Sequence, residues 1–170
     1  MTKKHKKLAA ELTKEYSKDK NVVGIYIFGS LAKRKARKKS DLDIEFIFKK
    51  RNKPYELYHK KVDGIGVDFS MYALKQFKED FSKKIYAQYA SLPHKIMYDP
   101  KGILKKYLRD VKEYFKKNPK ILKLWEDKER VYKRAKKTGG KKENYFEICK
   151  ELEREVKQSS KPLKTKETSH

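Results

Sequence analysis

The sequence predicts an α+β (α/β) fold: a small mixed sheet of about five strands flanked by helices, with a C-terminal helical extension. Three observations predict it. Four short runs, at 22–28, 41–49, 56–62 and 65–72, are apolar or alternate in the manner of strands. Segments of helical period lie before the first run and after the last. Beyond residue 100 only helical patterns remain, punctuated by Asn118-Pro119 and Gly139-Gly140.

The elements follow in order. Residues 3–18 form a first helix through Leu8, Leu12 and Tyr16; its basic start leads into an amphipathic pattern and not a signal peptide. Val22 to Phe28 is an apolar strand that stops at Gly29-Ser30. The second strand opens at Ser40-Asp41-Leu42-Asp43, where Leu42, Ile44, Phe46 and Phe48 alternate with Asp41, Asp43 and Glu45. Two further strands flank the turn pair Asp63-Gly64, and in the second Ile65, Val67, Phe69 and Met71 alternate with Gly66, Asp68 and Ser70. Leu74, Phe77, Phe81, Ile85 and Tyr89 mark a single helix covering the sheet. His94 to Tyr98 is a last short strand, and Asp99-Pro100 starts a helix reaching about Lys117. A helix through Ile121, Trp125, Tyr132 and Ala135 ends at Thr138-Gly139-Gly140. The last helix aligns Tyr145, Cys149, Leu152 and Val156, and from Gln158 onward the chain reads as a disordered tail. The expected division is 1–100, 101–157 and 158–170.

Composition sets limits. The 170 residues suit one domain with a small appendage. No apolar run approaches membrane-spanning length. The lone cysteine, Cys149, excludes an internal disulfide and fits a reducing cytoplasm, where it packs in a core. Forty-seven Lys and Arg against 23 Asp and Glu give a net charge of +24. That excess points to a polyanionic partner such as RNA, bound through phosphates with little sequence information; a solvated lysine coat is the other reading.

Chemistry concentrates between residues 28 and 70. Asp41 and Asp43 project from one face of a strand, with Cα atoms roughly 6.6 Å apart. Carboxylates that close repel, and an oxygen-liganded divalent cation makes such a pair favourable. If the Asp68 strand lies beside them, a three-carboxylate cluster able to hold two ions results, about 3.5–4 Å apart as in two-metal sites. The Gly29-Ser30 corner turns from strand to helix and directs backbone N–H groups at an anion, while the Ser30 hydroxyl can cap the helix or bond a phosphate. Lys33 and the basic stretch after it line a triphosphate path or form solvated loop charge. Glu45 reads as peripheral. His5, His59, His94 and His170 lack ligand spacing and read as surface or packed residues.

Gly29-Ser30, a ten-residue gap, Asp41-x-Asp43 and a later strand aspartate, Asp68, together resemble the nucleotidyltransferase superfamily related to DNA polymerase beta. Within it the chain is similar in size to minimal and antibiotic nucleotidyltransferases. The departure is Arg34, where many members carry a second glycine. The resemblance implies a nucleotidyltransferase-like fold in which Gly29, Ser30, Lys33 and Ser40 hold an NTP, ATP foremost. It also implies that Asp41, Asp43 and Asp68 bind Mg²⁺, two ions being expected, and that Asp68 is the base for the incoming hydroxyl. The implied activity moves an NMP group to a hydroxyl of a small molecule, an RNA 3′ end or a protein, releasing pyrophosphate. Family members of this size act as antitoxins beside a helical toxin, so a toxin partner is also implied. The alternative is a non-catalytic RNA- or toxin-binding module on the same fold.

Overall fold

The computed structural model describes residues 2–33, 40–138 and 145–159; of 132–138, 145, 146, 148, 149 and 157–159 it describes the helix but not the side chains. The basic stretch 34–39, the Gly139-Gly140 helix end, the Cys149 side chain and the tail from 160 therefore lie outside the described residues.

Helix α1 (Lys3–Tyr16) leads to β1 (Val22–Ile27), the short α2 (Gly29–Ala32), β2 (Leu42–Phe48), β3 (Tyr55–Val62) and β4 (Ile65–Ala73). Then come α3 (Leu74–Lys83), a 3₁₀ segment (Ile85–Ser91), β5 (Lys95–Tyr98), α4 (Ile103–Lys117), α5 (Pro119–Thr138) and α6 (Tyr145–Ser159). The five strands form one mixed sheet in the order β3-β4-β2-β1-β5. Only the central pair, β2 and β4, is parallel. This is the mixed five-stranded sheet that the alternating runs predict.

The chain divides into two compact units, Met1–Tyr114 and Phe115–His170. In the first, one sheet face buries Ile25, Ile27, Ile44, Phe46, Val67 and Phe69 with Leu8, Ala9 and Leu12 of α1. Helix α1 starts there because Thr2 caps it, its Oγ1 accepting from the His5 N–H at 3.3 Å. His5 is buried and its Nε2–H donates to the Ser40 carbonyl at 2.8 Å, tying α1 to the residue before Asp41. The opposite face meets Phe77 and Phe81 of α3, whose rings stack at 4.2 Å, and Leu104 of α4. Leu104 lies so close to Gly24 that a Cβ there would stand 2.8 Å from Leu104 Cγ. In the second unit Phe115, Ile121, Trp125 and Leu152 are buried, and a Lys128–Glu151 ion pair links α5 to α6.

Two elements differ from the sequence reading. The single helix expected through Tyr89 stops at Lys84 (φ −120°, ψ 38°), and Ile85–Ser91 continues as a 3₁₀ segment. Ile85 and Tyr86 are poor helix formers, and the tighter segment brings Ser91 Oγ within 3.2 Å of the buried Tyr26 hydroxyl. Helix α4 begins at Ile103 and not at Asp99-Pro100; Asp99 instead accepts from the Lys105 N–H at 2.9 Å, and Gly102 makes the turn at φ +68°.

Candidate functional site

The polar ends of β2 and β4 meet. Because these strands run parallel and in register, Asp43 stands directly beside Asp68, and Glu45 beside Ser70. Asp41, two residues before Asp43, shares its face. The three sequence-predicted carboxylates are thus brought to one end of one sheet face. Their crowding shows in Asp43, whose carboxyl is pushed up to about 7 by burial, then by the charges of Asp68 and Asp41 and a hydrogen bond with Asp68.

Two glycines make room for them. Gly29 holds φ +67°, and a Cβ there would collide with the Asp43 carboxylate. The Phe28 N–H donates to the Asp43 carbonyl at 3.1 Å, which fixes Gly29 against that residue. On β4, a Cβ at Gly66 would collide with Asp41 Oδ1 and meet His59 Cε1 at 2.9 Å. Gly29 is legible as a turn residue, but Gly66 reads as a gap in a strand pattern; only the fold shows that each seats a carboxylate.

The phosphate corner is smaller than the sequence suggests. Helix α2 is four residues long, Phe28 occupies its cap position, and no side chain caps it, so Ser30 lies inside the helix and does not cap it. Lys33 follows α2 with its ammonium 5.5 Å from the Tyr89 ring centroid. Ser40 is held through its carbonyl by His5. Of the four predicted triphosphate residues, Gly29 lies against the Asp43 carboxylate and Ser40 directly precedes Asp41.

Two side chains missed by the sequence reading belong to the same face. His59, opposite Asp68 across β3 and β4, places Nδ1 2.8 Å from Asp68 Oδ1. That bond raises the histidine pKa. Nothing in the sequence places residue 59 beside residue 68 except the hairpin around Asp63-Gly64, and counting back from that turn would have found the pair. Glu45, further along β2, is buried and already partnered: it accepts from the Tyr26 hydroxyl at 2.6 Å and the Ser70 hydroxyl at 3.0 Å. Burial pushes its carboxyl up to about 7 even though both hydrogen bonds act to lower it.

The strand register and the donor chemistry fit an oxygen-liganded cation, since three repelling carboxylates gain from a shared positive charge. The side-chain arrangement is that of an Asp43–Asp68 pair with Asp68 also turned to His59. Among the described residues no three His, Cys, Asp or Glu side chains converge closely enough to hold a metal ion. A shared ion would need the three carboxylates to draw closer together than they stand here. Among the described residues no helix is long and apolar enough to cross a membrane.

Comparison with known proteins adds a family. The sequence model described as Polymerase beta, Nucleotidyltransferase matches residues 10–95, a stretch that includes β1 to β4 and every carboxylate named above. No curated protein matches the sequence. Among solved structures the chain is similar to a nucleotidyltransferase-like protein from Exiguobacterium sibiricum 255-15, at 8% identity and a TM-score of 0.47. That similarity covers 91% of this chain and 58% of the other, so the chain spans little more than half the length of that relative.

Proposed function

The chain belongs to the polymerase beta nucleotidyltransferase family, and from that premise we propose that it is a Mg²⁺-dependent nucleotidyltransferase moving an NMP group from an NTP to a hydroxyl. The observation that carries this reading is the register of Asp43 beside Asp68, with Asp41 on the same face and Gly29 beneath Asp43. Asp41, Asp43 and Asp68 would hold the Mg²⁺. When bound, the metal neutralises charge on the triphosphate and stabilises the attacking and leaving oxygens of an in-line displacement.

The remaining work falls to this chain's own residues. Gly29, Ser30, Lys33 and Ser40 line the approach of the triphosphate, ATP being the proposed donor. Asp68 accepts the proton of the acceptor hydroxyl as that oxygen attacks the α-phosphorus; the bond from the α-phosphorus to pyrophosphate breaks, and the leaving group carries away its electron pair. His59, bonded to Asp68 Oδ1, would orient that carboxylate. The acceptor is a small molecule, an RNA 3′ end or a protein hydroxyl. A cytoplasmic setting, where NTP and Mg²⁺ are abundant, and a helical toxin as protein partner belong to the same proposal.

Incubation with each α-labelled NTP and Mg²⁺, together with bulk RNA, lysate protein or small metabolites, tests it by where the label goes. Transfer that requires Mg²⁺ and is lost in Asp43→Asn supports the reading. Absence of transfer to all three acceptor classes, with binding of RNA or a protein partner intact, would favour the non-catalytic module instead.

A further inference from the structure

At the far end of the same strands the charge reverses. The connection leaving β2 carries Lys49, Lys50 and Arg51, and α3, which begins directly after β4, carries Lys75. With Asn52 and Gln76 these side chains line a groove of about 550 Å³. From Asp43 to Lys49 the chain advances roughly 20 Å at about 3.3 Å per residue. The groove is therefore separate from the carboxylates.

Three features favour an anion there. First, among the described residues Lys49, Lys50 and Lys75 form no ion pair within 4.0 Å. Glu79, the acid in the lining, accepts from Lys83 Nζ at 2.9 Å, and its carboxyl is held below the usual range by that bond first. Second, the backbone beneath the lysines is fixed. Asn21 accepts from Lys50 N at 3.0 Å through Oδ1 and from Lys49 N at 2.7 Å through its carbonyl, and its Nδ2 donates to the Lys50 carbonyl at 2.9 Å. Third, a donor there lacks an acceptor. Arg51 is held by Glu56 at 2.7 Å through Nη2 and lies over the Phe48 ring, yet its Nη1 is buried with no hydrogen-bond partner. A buried donor left unpaired is costly, so an anion in the groove that draws the Arg51 guanidinium toward it would relieve that cost. The ten-residue helix α3 also opens here, with no acidic residue in its first turn and no side-chain cap.

We propose that this groove is a second binding site, independent of the catalytic proposal, and that it takes a phosphate group. Several compact ammonium charges beside one planar guanidinium suit a multivalent oxyanion better than a carboxylate. The phosphate comes from an RNA strand or from a free polyphosphate, and the two are separable by experiment.

Binding of inorganic tripolyphosphate, and separately of a twelve-nucleotide RNA, is measured by titration calorimetry in low salt without Mg²⁺ or NTP. The triple variant Lys49→Ala, Lys50→Ala, Lys75→Ala is compared with Lys3→Ala, Lys6→Ala, Lys14→Ala, which removes equal charge from exposed positions of α1. The groove variant is expected to lose at least tenfold in affinity and the control less than threefold. For RNA, losing three contacts also flattens the log–log salt dependence by about 2. Arg51→Lys, which keeps the charge but not the fork, is expected to lose severalfold. Loss for both ligands assigns the groove to the phosphate group itself; loss for RNA alone assigns it to a strand. Equal losses in groove and control variants, or no binding of either ligand by the wild type, would overturn the proposal.

Discussion

Asp43 and Glu45 stand two residues apart on one face of β2, and both carboxyls are pushed up to about 7. Burial is the first cause in each, but the surroundings differ. Around Asp43 the neighbours are other carboxylates, which resist its ionisation and leave repulsion for a cation to relieve. Around Glu45 the neighbours are the hydroxyls of Tyr26 and Ser70, which donate to it and complete it within the fold. The first arrangement would gain from a nearby cation; the second is already satisfied. A raised pKa alone does not separate them, and the partners do.

The largest effect that separates the two is on transfer. Asp43→Asn is expected to lower nucleotidyl transfer by at least about 10³-fold, because a metal-holding charge acts on the transition state. Glu45→Gln keeps an acceptor for Tyr26 and is expected to leave transfer within threefold. Single-turnover assays with labelled NTP check both, and equal losses would merge the two sites.

Gly29→Ala comes next. A Cβ at φ +67° is strained and would strike the Asp43 carboxylate, so a loss of about 1–3 kcal/mol is expected in denaturant unfolding. Ser30→Ala, whose side chain caps nothing, is expected to leave stability unchanged. Combining Gly29→Ala with Asp43→Ala should recover part of the loss, since the collision goes while the backbone strain stays.

His59 gives a subtler contrast, a 10- to 100-fold one by the usual cost of losing the group that orients a metal-binding carboxylate. Asparagine can reproduce the Nδ1 position and glutamine cannot. His59→Asn is expected to keep most of the transfer rate and of the Mn²⁺ affinity measured by electron paramagnetic resonance, and His59→Gln to lose both. Equal behaviour of the two variants would make the Asp68 contact incidental.

The smallest effect is on pH-dependent stability. Both carboxyls bind a proton more tightly in the folded chain than in the unfolded one. The stability this contributes is complete below about pH 4, the unfolded value. It is lost as pH rises through about 7, the folded value of each group. Wild-type melting temperature in metal-free buffer should therefore fall between pH 5 and 8, and both Asp43→Asn and Glu45→Gln should flatten the fall. Mg²⁺ should flatten it only through Asp43. A wild-type profile that rises across this window would contradict both assignments.

The strands were legible because each carries its own period: Leu42 to Phe48 and Ile65 to Met71 announce which side is buried. Asp41, Asp43 and Asp68 followed from that alternation. What was hidden is register. His59 beside Asp68, Ser70 beside Glu45, and the glycines that seat Asp41 and Asp43 are cross-strand facts that no single segment contains. Glu45 reads as peripheral to the cluster from its position along the strand, but its burial is hidden, since the hydroxyls that satisfy it come from β1 and β4. The break at Lys84 was hidden for a related reason, since an apolar stripe continues through Ile85 and Tyr89 while the backbone does not.

The central claim is that burial, with the carboxylates around it, pushes Asp43 up to about 7, and that a divalent cation would free it to ionise. Carbon-13 NMR titration of the aspartate and glutamate carboxyls, with Asp43→Asn and Glu45→Gln as the assignment controls, tests it directly. Without Mg²⁺ the Asp43 resonance is expected to titrate near 7. With saturating Mg²⁺ it should move well down toward the ordinary carboxylate range, while Glu45 stays near 7. An Asp43 titration that Mg²⁺ leaves where it was would contradict the account.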